Sequence, residues 1–312
     1  MKVFMTGATG VLGRRLVRRL RERGHVVLAL ARSPQNETTI EELDGRSRRA
    51  HIADSDSLAR AAEGAQVLIH AATAIPRKAR PRPQDFALND RIRREGTRAL
   101  AEAASRTGAQ LLILQSIVWV ARPEDGRAFD ENSPGQPDRY TRSALDAEEI
   151  VREAAVKHGF GATVLRCGLF YGPDAHHTRR MGKLVSRGWM PIIGSGESVL
   201  SMLHLDDAAE AFAVATEMAT PGLWHVVDDR PAMVAQLLNG LARRLDARPP
   251  RRVAPWLARL LAGSYTVELL ATDMRTSNER FKNATGWTPR YPSIEEGLDQ
   301  VVDAWLREGF VR

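Results

Sequence analysis

The chain of 312 residues has a single cysteine, Cys167. That excludes an internal disulfide and any cysteine-built metal centre. No apolar run approaches the about 20 residues that a membrane-spanning helix needs. Met1-Lys2-Val3-Phe4 passes at once into an apolar run, so no leader segment is expected and the predicted setting is the cytoplasm. Lysine is scarce: five of the 45 basic residues are lysine and the rest arginine, against 38 acids, for a net charge of +7. The arginines are spread along helical stretches such as Arg14, Arg15, Arg18, Arg19, Arg21 and Arg23. No zinc finger, ribonucleoprotein motif or helix-turn-helix accompanies them, so they read as solvated surface and no nucleic-acid partner is expected. The adjacent His176 and His177 do not share a helix face and have no acid or thiol at ligand spacing, so no metal site is predicted.

What is present opens the chain. The apolar run Val3-Phe4-Met5 leads into Gly7-Ala8-Thr9-Gly10-Val11-Leu12-Gly13. This is a strand running into glycines three apart and then into a helix. Gly7 suits a turn that demands positive φ. Gly10 lets the main chain approach a pyrophosphate, and Gly13 lets the helix pack on the strand. The helix N-terminus adds free N–H groups and a partial positive charge.

Short apolar strands then alternate with amphipathic helices. Strands are predicted at Lys2 to Thr6, Val26 to Ala31, Arg49 to Ile52, Val67 to His70, Gln110 to Leu114 and Gly161 to Arg166. Helices are predicted at 12–23, 57–63, 91–106 and 144–157. That alternation argues for an α/β fold, a doubly wound parallel Rossmann sheet. Residues 1–166 with about 204–227 would form it, and about 167–203 with 228–312 a smaller, mainly helical C-terminal cap for substrate. Ser293 with Glu296 marks the start of a last helix ending near Arg307.

These residues resemble the extended and atypical branch of the short-chain dehydrogenase/reductase superfamily, the NAD-dependent epimerase/dehydratase family. The marks are Thr6 to Gly13, Leu68-Ile69-His70-Ala71-Ala72-Thr73, Gln115-Ser116-Ile117, Leu165 to Pro173, His204-Leu205-Asp206-Asp207-Ala208 and Thr285-Gly286-Trp287-Thr288-Pro289. The resemblance implies that Gly7, Ala8, Thr9, Gly10, Val11, Leu12 and Gly13 wrap the cofactor pyrophosphate. It places His51 and Ile52 beside the adenine, where the family usually has an acid and an aliphatic residue. Ala71, Ala72 and Thr73 would line the nicotinamide ribose, and Gly168, Leu169 and Phe170 would approach the carboxamide.

Cofactor choice follows from charge. An NAD site usually holds the ribose 2′-hydroxyl with an acid about 20 residues past the glycines. Here the second strand ends Ala31-Arg32-Ser33 without an acid. A guanidinium suits a phosphate, so NADP(H) is favoured over NAD(H).

Family reductases pair a Ser or Thr with a Tyr and a Lys four residues after the Tyr. Ser116 and Tyr140 match the first two, but the fourth residue after Tyr140 is Ala144. Where the family often has Asn, three residues before Gly96-Thr97, stands Arg93, with Asn89 one turn earlier on the same face. The expected function is NADP(H)-dependent reduction of a carbonyl on a hydrophobic or aromatic small molecule, as in atypical natural-product ketoreductases. Two alternatives stay open: an epimerase, dehydratase or cyclase with a diphosphate held by Arg179, Arg180 and Lys183, and an NADP(H)-binding sensor without chemistry. Trp119, Tyr171 and Met202, with Phe170 and Trp189, are expected to form an apolar substrate wall. The protein is expected to be a monomer or homodimer.

Overall fold

A strand in the middle of a parallel sheet has no solvent face, and the first residues are built accordingly: Val3 to Thr6 are all buried. The computed structural model describes residues 1–219 and 221–311. The chain runs β1 (Lys2–Thr6), α1 (Val11–Glu22), β2 (Val26–Ala31), α2 (Pro34–Glu41), β3 (Arg46–Arg49), α3 (Ser55–Ala61) and β4 (Val67–His70). Next, α4 (Ala87–Arg91) passes through a π-turn at Ile92–Gly96 into α5 (Thr97–Thr107). Then come β5 (Leu111–Ile117), α6 (Arg142–His158) and β6 (Gly161–Cys167). The chain leaves the sheet through β7 (Leu169–Tyr171), α7 (His176–Ser186), β8 (Ile192–Ile193), β9 (Val199–Leu200) and β10 (Met202–His204). Helix α8 (Leu205–Met218) brings it back as β11 (Gly222–Val226). It ends with β12 (Ala232–Met233), α9 (Val234–Arg244), β13 (Arg252–Val253), α10 (Pro255–Leu270), α11 (Glu279–Thr285) and α12 (Ile294–Arg307).

Seven strands form one sheet in the order β11-β6-β5-β4-β1-β2-β3, all parallel. The Rossmann expectation is met. Apolar side chains of α1 and α8 cover one face, and those of α3, α5 and α6 cover the other. A third core, from α9, α12, Tyr171 and Met202, holds the cap.

Several boundaries differ from the sequence reading. The third strand lies at Arg46–Arg49, paired with Leu28 to Ala31, and not at Arg49 to Ile52. An edge strand of sequence Arg-Ser-Arg-Arg is defined by hydrogen bonds to its neighbour and has no apolar signature to read. Helix α2 escaped the pattern for the same reason, since Ile40 is its one buried residue. The helix read at 91–106 begins at Ala87 and carries the π-turn. The cap is mainly helical, as expected, and also holds three two-stranded ladders, β10-β7, β12-β9 and β13-β8. Helix α11 belongs elsewhere too: Phe281 and Trp287 join the core under α1 and α8, not the cap. Among the described residues no helix is long and apolar enough to cross a membrane.

The order of strands reverses between β1 and β4, and their ends are tied together there. The Thr6 hydroxyl donates to His70 Nδ1 at 2.7 Å, and His70 Nε2 lies 3.3 Å from the Ile92 carbonyl. Full burial, reinforced by the nearby Arg93 charge, pushes the His70 pKa down to about 4. The neutral ring is therefore the form that makes both bonds. An unfolded histidine takes up its proton near pH 6.5, well above the folded value. Its contribution is thus fully present above pH 6.5 and is lost as pH falls through 4. The stability gap between wild type and His70→Gln should shrink by about 3 kcal/mol between pH 7 and pH 4. Urea unfolding at the two pH values measures it; a gap that widens in acid would contradict this assignment.

Candidate cofactor and active site

The turn after β1 is closed by backbone contact. Gly7 sits at φ +83°, and a Cβ there would meet the Ala71 carbonyl carbon at 2.5 Å and the Ala72 nitrogen at 2.6 Å. A Cβ on Gly13 would fall 2.0 Å from the Gly7 carbonyl oxygen. Neither position admits another residue without moving main chain. Gly10 is exposed and N-caps α1, and a Cβ there would meet only the Gly7 oxygen, at 3.2 Å. Ala8 and Leu12 are buried and hold the loop down by packing. No side chain caps α1, and its first turn holds no acid. Its N–H groups and partial positive charge are therefore open to an anion. The loop after β4, Ala71 to Thr73, lies directly against this turn, at the switch point where such sheets bind ligands.

Further along the sheet edge, beyond β2 and β3, a cavity of about 360 Å³ is lined by Ala31, Arg32, Ser33, Pro34, Arg49, Ala50, His51 and Ser57. This brings together Arg32, Ser33 and His51, three of the predicted cofactor residues. It adds Arg49 and Ser57, which the sequence reading passed over. Arg49 sits in a basic edge strand without a pattern, so its signal was absent. Arg32 is exposed and makes no ion pair or hydrogen bond with any described residue. Ser33 N-caps α2, accepting from the Asn36 N–H at 3.3 Å, so the positive end of that helix also faces this corner. No carboxylate lines the cavity; Glu37 pairs with Arg49 (Nη2 to Oε2 3.0 Å), which holds the Glu37 carboxyl below its usual range. Ile52 packs under Gly96 and is half-buried.

At the other end, Asp138 fixes the turn that carries Tyr140, accepting the Tyr140 and Thr141 N–H groups at 2.8 and 2.9 Å. The Tyr140 ring packs against Phe86 and against Tyr265 of α10, with centroids 5.2 and 4.9 Å apart. Ala144, at the place of the expected lysine, is buried against Ile117 and Val120.

Comparison with known proteins agrees. The model of the NAD dependent epimerase/dehydratase family matches residues 3–226. The chain belongs to that family. It is 36% identical over 306 residues to a 3-diazoavenalumate denitrifying reductase from a Streptomyces species, covering 96% of this chain and 99% of the relative. Its fold is similar to human epimerase family protein SDR39U1 solved with NADPH, at a TM-score of 0.81 and 21% identity, covering 97% of this chain and 99% of that one. It is also similar to DesIV, a dTDP-glucose 4,6-dehydratase from Streptomyces venezuelae solved with NAD and TYD, at a TM-score of 0.79 and 22% identity, covering 100% of this chain and 99% of that one. As a member of this family with a reductase relative, the chain is a nicotinamide-dependent enzyme of the oxidoreductase type.

Within the family frame several expected site residues sit differently. Ser116 is buried and donates its hydroxyl to the Glu148 carboxylate, rather than presenting it to a substrate. Side chains alternate along β5, so Ser116 points with Leu112 and Leu114 towards the α5 and α6 layer. Gln115, on the opposite face and half-buried, is the polar residue left open at this strand end, its Nε2 donating to the Ser116 carbonyl at 3.0 Å. Tyr171 lies in the cap core. It is buried, with its hydroxyl 3.3 Å from Asp228, and burial pushes its pKa up. Met202 is buried in the same cap core, and Trp189 is 69% exposed. Gly168 lies where a Cβ would meet the Ser201 oxygen at 2.6 Å, and Leu169 and Phe170 are half-buried. Trp119 alone of the expected wall packs where three cores meet. Arg14, next to the glycines, pairs with Asp174 at 2.7 Å. His204 is fully buried and bonds Asp206 N and Gln300, which makes it a joint between α8 and α12.

Glu148 is the lone acid on the buried Ala144, Ala147, Val151 face of α6, a signal present in the sequence. It accepts from Ser116 and is paired with Arg166 of β6, whose Nη2 lies 2.7 Å away. Both are nearly fully buried. Breaking such a pair strands a charge, whereas replacing both partners with apolar groups is often close to neutral. Arg166→Met should therefore cost about 3–5 kcal/mol, and Glu148→Leu combined with Arg166→Met far less than the two singles added. Urea unfolding of the four proteins tests this; additive costs would mean that the pair is not coupled.

Proposed function

We propose that the protein is an NADP(H)-dependent reductase that delivers hydride to an electrophilic centre, most simply a carbonyl, of a hydrophobic or aromatic small molecule. The cavity beside Arg32 carries this reading. Two arginines, a histidine, a serine hydroxyl and the start of α2 surround it without an acid, which suits a 2′-phosphate and not a bare ribose diol. The reductase relative in Streptomyces, named for an avenalumate, supports an aromatic substrate of the natural-product kind.

When bound, the nicotinamide supplies the hydride, and the protein's share is to bind, orient and move a proton. Gly7 to Gly13 and the start of α1 would hold the pyrophosphate. Arg32, Ser33 and Arg49 would hold the 2′-phosphate, with His51 and Ile52 at the adenine. Ala71, Ala72 and Thr73 would border the nicotinamide ribose, and Gly168 to Phe170 the carboxamide. The proton donor we assign is Tyr140, whose ring is fixed by Phe86 and Tyr265, without a lysine beside it. Ser116 is left to support Glu148. Arg179 pairs with Glu308 at 2.8 Å and lies over the Phe310 ring.

Two outcomes are expected. Arg32→Ala should raise the Kd for NADPH about tenfold or more while leaving that for NADH unchanged, because a charge-assisted bond to phosphate is lost. Fluorescence titration with both cofactors measures it, and equal losses would count against a 2′-phosphate subsite. Tyr140→Phe should lower kcat for NADPH oxidation with aromatic ketones by about 10²-fold or more with cofactor affinity intact. Unchanged turnover would remove Tyr140 from the chemistry.

A further inference from the structure

The helix that leads from α4 into α5 carries a buried amide nitrogen and a nearly buried guanidinium that meet no acceptor among the described residues. Arg93 lies in the π-turn at Ile92–Gly96 and is 7% exposed. It makes no hydrogen bond to a described residue, and no described carboxylate comes within ion-pair distance. The groups that act on it electrostatically are Tyr265, Asp90 and Glu148. Both of those acids are already committed. Asp90 accepts from the Ser143 hydroxyl at 2.6 Å, and Glu148 is held by Arg166 and Ser116. A guanidinium cannot shed its proton, and its charge in a low-dielectric setting needs an anion.

Asn89, four residues earlier, is fully buried. Its Oδ1 accepts from the Ala74 N–H at 3.0 Å, while its Nδ2 has no partner. Residues four apart share a helix face, so the free amide and the unpaired guanidinium lie on the same side. That side meets the loop after β4, through Ala74, and Tyr265 of the cap. Tyr265 meets Tyr140 edge-on and Phe86 at a tilt, so the ring nearest Arg93 belongs to an aromatic cluster. The π-turn that carries Arg93 is itself a rare geometry, met most often at functional sites. The nicotinamide ribose, which the loop after β4 would border, is neutral and offers no compensating charge. A substrate anion does.

We infer that Arg93, assisted by the Asn89 amide, is the receptor for a carboxylate borne by the aromatic substrate, so that the enzyme acts on anionic arenes. This rests on the reductase reading above and narrows it. The planar guanidinium fork suits a carboxylate held in two bonds, with the arene packed against the aromatic cluster of Phe86, Tyr140 and Tyr265.

The test is binding of 4-hydroxycinnamate and of its methyl ester to the protein saturated with NADP⁺, followed by calorimetry. The acid and ester share the ring and differ in charge. Wild type should prefer the acid by about tenfold or more. Arg93→Met should abolish the preference, Arg93→Lys should retain part of it, and neither should change the affinity for NADP⁺. No preference in wild type would overturn the inference, and that comparison needs no variant. A preference that survives in Arg93→Met, with NADP⁺ affinity reduced instead, would also overturn it and give Arg93 to the cofactor ribose. The same acid and ester comparison on cofactor-free protein separates the two readings. Failure of NADP⁺ to bind strikes the cofactor assignment, while a retained acid preference still supports the anion receptor.

Discussion

The contact of α1 against the end of β1 governs everything above it. With the Gly13 Cα pressed on the Gly7 carbonyl and Gly7 pressed on Ala71, the helix start, the β1 turn and the β4 loop occupy one small volume. No side chain fits between them. The result is an uncapped helix terminus facing outward at the switch point of the sheet, with the next two polar corners set at fixed distances along the strand ends. One corner is the basic cavity at β2 and β3. The other is the aromatic cluster of Phe86, Tyr140 and Tyr265, where the cap comes down.

Buried polar groups around this frame are handled in two ways. Most are paired. Glu148 joins Ser116 and Arg166, His70 is kept neutral between Thr6 and Ile92, and Asp207 accepts the Arg290 and Tyr291 N–H groups at 2.8 and 3.0 Å. These fix strand ends and dock the cap. The Asn89 amide nitrogen, Thr97 Oγ1 and Arg166 Nη1 are among the buried atoms left without a partner, and Arg93 makes no ion pair with a described residue; the Asn89 and Arg93 pair is the one we read as a receptor for a bound anion.

The missing lysine has a physical counterpart. Ala144 is packed into an apolar patch with Ile117 and Val120, so the position is filled by core rather than left open. The α6 face that would hold the lysine instead carries Glu148 one turn on, engaged with β6. The proton donor we assign is therefore Tyr140 without its usual lysine, held by Asp138 and by two rings.

The sequence by itself determined the sheet, and it made legible the glycine turn and the lack of an acid after β2. Period and glycine spacing are local properties: Gly7, Gly10 and Gly13 constrain the backbone over one turn, and the absence of an acid after β2 is visible residue by residue. The arginine-rich edge strand and α2 were not legible, because neither has an apolar face to announce it. The roles of Ser116, Tyr171 and Met202 were decided only by tertiary structure. Each is defined by what arrives from a distant segment: Glu148 against Ser116, Asp228 against Tyr171, and α9 and α12 over Met202. Arg93 could be seen in the sequence as a departure, but that it is buried without a partner depends on Tyr265 and α6 closing around it. Long-range packing carries no local pattern, and that is where the site acquires its chemistry.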